Sequence, residues 1–382
     1  METNRTLKII NIVENLDKGA VENWLVRIFL KSREERPDWD WTFYCILGKP
    51  GRLDDKVLLA GGRIIYSPVS VGDKRTFISN LRKVLKEGQF DIIHSHHDYL
   101  SGFYLLASAG IKFRKRILQI HNTDKALPVG NRFLHNLLLK PFRRLAFHFS
   151  DLIVGISEDT LLEFTGKFRT SKPLTTVLYY GIDLEPFEKA VVDNDFNTQF
   201  NFPAHARSLL FVGRMNPWKN PLFVLEILRE LNSKRSDVYA IFVGQGDLEN
   251  ELTDLAAKWN LGDRIRVLGW SDNTAWLMKN ASVFVFPRLE YPREGLGLVV
   301  VEAQAAGLPM AISYAIVKDA IVIPGLAHYV KLDNNPKEWS TQIDRLLDSP
   351  SPISKTVALE QMRQSPFELR KAMLNFLSLY EI

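Results

Sequence analysis

At 382 residues and 46% hydrophobic content, the chain is too long for one ordinary compact domain and long enough to bury two cores. Its formal net charge of +5 is modest and comes with no nucleic-acid reader motif, which argues against nucleic acid as a partner. The single cysteine, Cys45, excludes an internal disulfide and a cysteine-based zinc site, and reads as a small buried hydrophobe. No run of eighteen apolar residues occurs and the start "METNRTLK" is not a secretory signal, so a cytoplasmic chain without a membrane span is expected.

In chain order, "LKIINIV", "RIIYSPV", "FDIIHSH", "KRILQIH", "DLIVGIS" and "TTVLYYGID" read as strands, apolar without strict alternation. Buried parallel strands have that character. Between Lys112 and Arg144 nine basic residues face one acid, Asp124, so this window carries +8 and the remainder about −3. Within it "NRFLHNLLLKPFRRLAFHF" mixes Leu and Phe with Arg and Lys at helical spacing, a composition suited to an anionic lipid surface. A solvated basic face on an ordinary core helix is the alternative. The stretch 186–207 breaks the rhythm with Pro, Asn and charges and reads as a linker. Strands then resume at "SLLFVGR", "YAIFVGQG", "RIRVLGW", "VFVFPR" and "PMAIS", separated by helices such as "PLFVLEILRELNSK" and "LENELTDLAAKWN". The final "SPFELRKAMLNFLSLYEI" reads as a helix introduced by Ser365-Pro366. Two doubly wound, Rossmann-like α/β domains follow, over 1–185 and 208–364, with the last helix spanning 365–382.

Ligands of such folds gather beyond the carboxyl ends of the strands, and several of those ends are chemically loaded. "LLFVGRMNPWKNP" follows Gly213 with Arg214 and Lys219, a planar fork and a compact point charge that suit a diphosphate. "REGLGLVVVEAQAAGLPM" separates Glu294 from Glu302 by seven residues. Between them Gly295 and Gly297 allow close backbone approach, and a helix beginning near Leu298 would turn its free amides toward an anion. Gly307 and Pro309 stop that helix. The two acids would then accept hydrogen bonds from neutral hydroxyls, a ribose for one and a hexose for the other. "HSHH" places His94 and His96 on one strand face, within reach of a common ion, yet only Asp98 stands nearby to complete a set. The Gly244 and Gly246 of "VGQGDL" are a weak signal by themselves.

Glu294 with Glu302 resembles the E-x7-E motif of the retaining family 4 glycosyltransferases, and Arg214 with Lys219 their R-x4-K motif. Similarity covers most of the chain. "NLDKGAVENWL" looks like the donor loop around Gly19, "FDIIHSHHDYLSG" and "LQIHNT" like acceptor-side strand ends, and "VLYYGIDLEPF" like the hinge entry. "EGLGLVVVEAQAAGLP" is near the form of the exopolysaccharide, capsule and lipopolysaccharide branch.

The resemblance implies a GT-B fold, with an acceptor domain, a nucleotide-sugar domain, a cleft between them and a last helix crossing back to the first domain. It implies transfer of a sugar from a nucleotide donor, expected to be UDP-linked, to a hydroxyl of a glycan or lipid-linked acceptor, with retention and without a metal or other cofactor. Arg214 and Lys219 would neutralise the leaving diphosphate. Glu302 would hold the ribose, Glu294 the donor sugar, and the amides around Gly295, Leu296 and Gly297 the phosphate or sugar. Leu268 and Trp270 would flank the base. His121 matches the active-site histidine, while His96, His97 and Asn122 would line the acceptor side. The expected setting is the cytoplasm, with the Lys112–Arg144 segment resting on the inner membrane face. Two departures stand out: Ala20 replaces the second glycine of the donor loop, and Tyr180 replaces the common Asn before Gly181. A covalent double displacement stays open beside front-face attack. A nucleotide-sugar epimerase and a catalytically silent binding partner are the competing readings.

Overall fold

The computed structural model describes residues 6–17, 19–122, 132–166, 174–291, 294–333 and 335–381. The chain forms two compact units, one of Met1–Gly181 with Arg370–Ile382 and the other of Ile182–Leu369.

The first unit holds a seven-stranded parallel sheet: β1 (Lys8–Val13), β2 (Asp40–Cys45), β3 (Arg63–Tyr66), β4 (Ile92–Ser95), β5 (Lys115–Ile120), β6 (Leu152–Gly155) and β7 (Leu174–Val177). Their order is β3-β2-β1-β4-β5-β6-β7, reversing direction of growth beside β1. That reversal creates the crevice position where doubly wound folds place ligands. The central strands are apolar on both faces because helices cover both. Local signals set those helices: Asp73 accepts from the Thr76 amide ahead of Lys74–Gly88, and Ser157 with Thr160 forms a capping box before Glu158–Thr165.

β2 is absent from the strands read off the sequence. It opens with Asp40 and mixes Trp41, Phe43 and Tyr44 with Thr42, so no aliphatic run marks it, yet all but Asp40 are buried. Cys45 ends β2 inside the core, and burial pushes its thiol up to about 12.

The basic segment divides its charges among several tasks. Arg114 pairs with Asp91 at 3.2 Å, Lys115 Nζ donates to the carbonyls of Leu379 and Glu381, and Arg116 donates to the Ile111 carbonyl. The helix Arg132–Phe149 packs Ala146, Phe142 and Phe147 against the core and leaves Lys140 and Arg144 exposed. Asp124, Lys125 and the side chain of Arg132 lie outside the described residues. Among the described residues no helix is long and apolar enough to cross a membrane.

The C-terminal helix, Leu369–Ser378, places Phe376 against Trp41 with ring centroids 6.3 Å apart, and Tyr380 against both Trp39 and Trp41.

The second unit carries six parallel strands: β8 (Arg207–Val212), β9 (Val238–Val243), β10 (Ile265–Val267), β11 (Val283–Phe286), β12 (Met310–Ser313) and β13 (Ala327–Val330), in the order β10-β9-β8-β11-β12-β13. The edge strand β13 has four residues and is mostly half-buried, too short and too polar to register as an apolar run. Residues 186–207, expected as a linker, are counted in the second unit. Two short helices form there, Phe196 and Phe202 are buried, and Phe196 meets Trp276 at 5.0 Å.

Candidate active site

The carboxyl ends of β8 and β11 bring the R-x4-K cations and the first acid of E-x7-E to one place. Lys219 Nζ lies 2.5 Å from Glu294 Oε2, and Arg288 Nε donates to the same oxygen at 2.8 Å. Two cations therefore share one carboxylate oxygen, with side chains only 22% (Lys219), 19% (Glu294) and 6% (Arg288) exposed. Burial pushes the Glu294 carboxyl up, but attraction to Lys219 and Arg288 outweighs it and leaves the group below its ordinary range. Lys219 is aimed by its loop: its amide donates to Asn216 Oδ1, and its ammonium sits 5.0 Å from the Phe286 ring centroid. Arg214 is exposed, and among the described residues its guanidinium has no hydrogen-bond or ion-pair partner. The strand end thus offers one available cation and one already paired.

Gly297 caps the helix Leu298–Ala305 at φ +84°, a left-handed conformation that excludes ordinary side chains. The helix start leaves backbone amides without intrahelical partners beside Gly295 and Leu296. Glu302 lies one turn in and is half-buried. At the other end Gly307 donates to Gln304 and Leu308 to Ala303, stopping the helix as its glycine predicts. Gly244 and Gly246 acquire a definite role: a Cβ on Gly244 would fall 2.0 Å from the Gly213 carbonyl oxygen, and one on Gly246 2.3 Å from that of Met215. Their bareness lets the β8 and β9 loops touch. Beyond β10, Leu268 is half-buried and Trp270 is 73% exposed, its indole donating to Asp272.

Carboxyl ends in the first unit carry a different assembly. His96 Nε2 lies 3.0 Å from Asn11 Oδ1, His96 Nδ1 lies 3.3 Å from His121 Nε2, and His121 Nδ1 meets the Tyr180 hydroxyl. An amide oxygen only accepts, so His96 carries its proton on Nε2 and accepts from His121 Nε2. His121 Nδ1 is then left to accept from Tyr180. Tyr380 also donates to Asn11 Oδ1, at 3.2 Å, and lies 2.9 Å from His94 Nδ1. Burial, with the His97 field behind it, pushes His121 down to about 3; burial likewise drives His94 and His96 well below the ordinary histidine value. At neutral pH these rings are uncharged. His94 and His96 share a face as their spacing implies, but each faces another side chain, and among the described residues no group of three or more His, Cys, Asp or Glu is placed to hold a metal.

His97 is half-buried with its ring edge toward Tyr104, and Asn122 is tied to Asp98 through its amide and side chain. Gly19 caps the helix Ala20–Glu35, and a Cβ there would fall 2.0 Å from Glu22 Oε2.

Sequence reading missed Arg288, Asn11 and Tyr380. Arg288 carried a usable signal, since it follows "VFVFP" at a strand end just as Arg214 follows "LLFVG". Asn11 sits inside an apolar strand and Tyr380 is 369 residues away from it, so no local pattern joins them.

Residues 193–363 match the model of the group 1 glycosyl transferases, and residues 42–186 that of Glycosyltransferase Family 4. The chain is 27% identical to the protein named as glycosyltransferase EpsF of Bacillus subtilis, across 98% of this chain and 96% of that one. It is 25% identical to the capsular polysaccharide biosynthesis glycosyltransferase CapH of Staphylococcus aureus, across 91% and 93%. In fold it is similar to a glycosyltransferase of Rickettsia africae (TM-score 0.79, 18% identity, 98% of each chain). It is also similar to Anabaena HepE in complex with UDP and glucose (TM-score 0.77, 17% identity, 98% and 99%).

Proposed function

From the premise that this chain belongs to the family 4 glycosyltransferases and has the GT-B fold, we propose that it is a retaining, metal-independent transferase that moves a sugar from a UDP-sugar to a glycan or lipid-linked glycan hydroxyl in polysaccharide biosynthesis. The observation that carries this reading is the convergence of Lys219, Arg288 and Glu294 beside Arg214 at the carboxyl ends of β8 and β11. Relatives named for capsule and lipid-diphosphate glycan synthesis support the acceptor class.

In this reading the bond between the anomeric carbon and the terminal phosphate oxygen breaks while the acceptor oxygen attacks from the same face. The acceptor proton passes to the departing phosphate oxygen. Arg214 and Lys219 stabilise the charge that develops on the diphosphate, the task a divalent cation performs elsewhere. Glu294 and Glu302 accept hydrogen bonds from sugar and ribose hydroxyls, Trp270 and Leu268 flank the base, and the amides of Gly295, Leu296 and Gly297 meet phosphate or sugar. His121 enters as a neutral imidazole that shapes the site and does not donate a proton as an acid. Gly19 is assigned to donor binding, and His96, His97 and Asn122 to the acceptor side. The exposed Lys140 and Arg144 would rest on an anionic membrane surface.

The test is ligand-induced thermal stabilisation across nucleotides and nucleotide sugars with EDTA present. Stabilisation by UDP and one or two UDP-sugars is expected, at about 2.7 kcal/mol for ligand at one hundred times its dissociation constant. Transfer to an acceptor with the donor's anomeric configuration kept, read by NMR, completes it. Dependence on added divalent metal would overturn the metal-independent mechanism, and free nucleotide without acceptor product would favour the epimerase.

A further inference from the structure

One of the two cations proposed for the diphosphate is already taken: Lys219 is bonded to Glu294, and Glu294 is its partner among the described residues. If Lys219 swings to a phosphate, it leaves behind a largely buried carboxylate. An uncompensated carboxylate in such a place is costly and would either keep its partner or take up a proton.

The second cation on the same oxygen is fastened very differently. Arg288 is buried, its Nη1 donates to the Trp218 carbonyl at 2.7 Å, and its own carbonyl accepts from Ser313 Oγ at 2.6 Å. Lys219, by contrast, ends a four-carbon stem with rotatable bonds and lies over an aromatic face. One cation is anchored and the other can swing.

We propose that Arg288 is a positioning residue that lets Lys219 change partners: it stays on Glu294 and keeps the carboxylate ionised while Lys219 moves to the donor diphosphate. This rests on the donor-site reading above and deepens it. It also separates two demands on Glu294, which must remain a charged acceptor for sugar hydroxyls during the step in which its lysine is withdrawn. Among the described residues the charges that act on Glu294 are those of Lys219 and Arg288, so removing Arg288 leaves Lys219 as its counterion there.

The experiment is calorimetric titration of the full chain with UDP at pH 7, in two buffers of different ionisation enthalpy, for the wild type, Arg288→Met and Arg288→Lys. The wild type is expected to bind with no net proton uptake. Arg288→Met is expected to bind about tenfold more weakly and to take up a proton as Lys219 leaves Glu294. Arg288→Lys keeps the charge without the fork, and should weaken binding without proton uptake; it decides the matter should the Met variant fail to fold. Adding Glu294→Gln to Arg288→Met should abolish the proton uptake. Wild-type affinity and no uptake in Arg288→Met, or uptake in Arg288→Lys equal to that of a charge loss, would overturn the partner exchange while leaving the donor site standing. If the wild type binds neither UDP, GDP, ADP nor inorganic pyrophosphate, the donor-site reading falls and takes this inference with it.

Discussion

Both units place their chemistry at the carboxyl ends of parallel strands, yet they treat charge in opposite ways. In the second unit Lys219, Arg288 and Glu294 keep full charges together by pairing them, with Arg214 exposed nearby. In the first, Tyr180, His121, His96 and Asn11 form a hydrogen-bonded line in which every group is neutral and buried. In the proposed transfer, the charges of the second unit serve the leaving diphosphate. Burial keeps an imidazolium from forming in the first unit at neutral pH.

The sharpest way to break this contrast is Lys219→Ala. If the second unit manages the charge, kcat should fall roughly a hundredfold, the scale of losing one preorganised cation or donor at a developing oxyanion. Steady-state transfer rates check it, and near-normal turnover would move the chemistry elsewhere.

Acid addresses the first unit. His94, His96 and His121 have folded values below the unfolded one, so the unfolded chain binds more protons between them. Stability should be undiminished above about pH 6.5 and should decline as pH falls below it, by up to about 1.4 kcal/mol per histidine per pH unit. For His121 the decline continues to its folded value of about 3. Glu294 acts in the same direction at lower pH, since its depressed carboxyl contributes above the ordinary carboxylate range and loses that contribution as pH falls through its folded value. Chemical unfolding across pH 4 to 7 measures it, and a flat profile would mean that the rings are hydrated and charged.

Tyr180→Phe removes one hydroxyl from the neutral line and keeps the ring that packs 5.1 Å from Trp24. His121 Nδ1 then loses its donor. We expect kcat to drop about tenfold with donor KM unchanged, and the His121 ring nitrogen shifts to change in NMR spectra. Unchanged spectra would show that the hydroxyl does not hold the tautomer. The smallest effect should come from Trp270→Ala, about a threefold rise in donor KM with kcat preserved, because an exposed ring in the proposed base-flanking role contributes uniform binding.

Much of this was legible in the sequence because it is local. The strand ends after "LLFVG" and "RIRVLG", the helix start at Leu298 and its stop at Gly307 all follow from short-range backbone rules, and the structure puts them where those rules predict. What escaped was set by distant partners. The spacing of His94 and His96 identified a shared face, but Tyr380 and Asn11, supplied by remote segments, decide what the rings do there. The same holds for Arg288, whose proximity to Glu294 is plain while its sharing of one oxygen with Lys219 is not. Gly244 and Gly246 are a weak signal in the sequence, because the crowding that requires them is the distant backbone at Gly213 and Met215.

Arg370–Ile382 belongs to the first unit, where Phe376 and Tyr380 complete the surroundings of Trp41, His94 and Asn11. Synthesis runs from the amino terminus, so the unit made first is the last to be finished. Until residues 370–381 have been made, its aromatic floor and polar line wait for their closing piece. A chain halted before residue 370 would therefore leave incomplete the unit that was begun earlier.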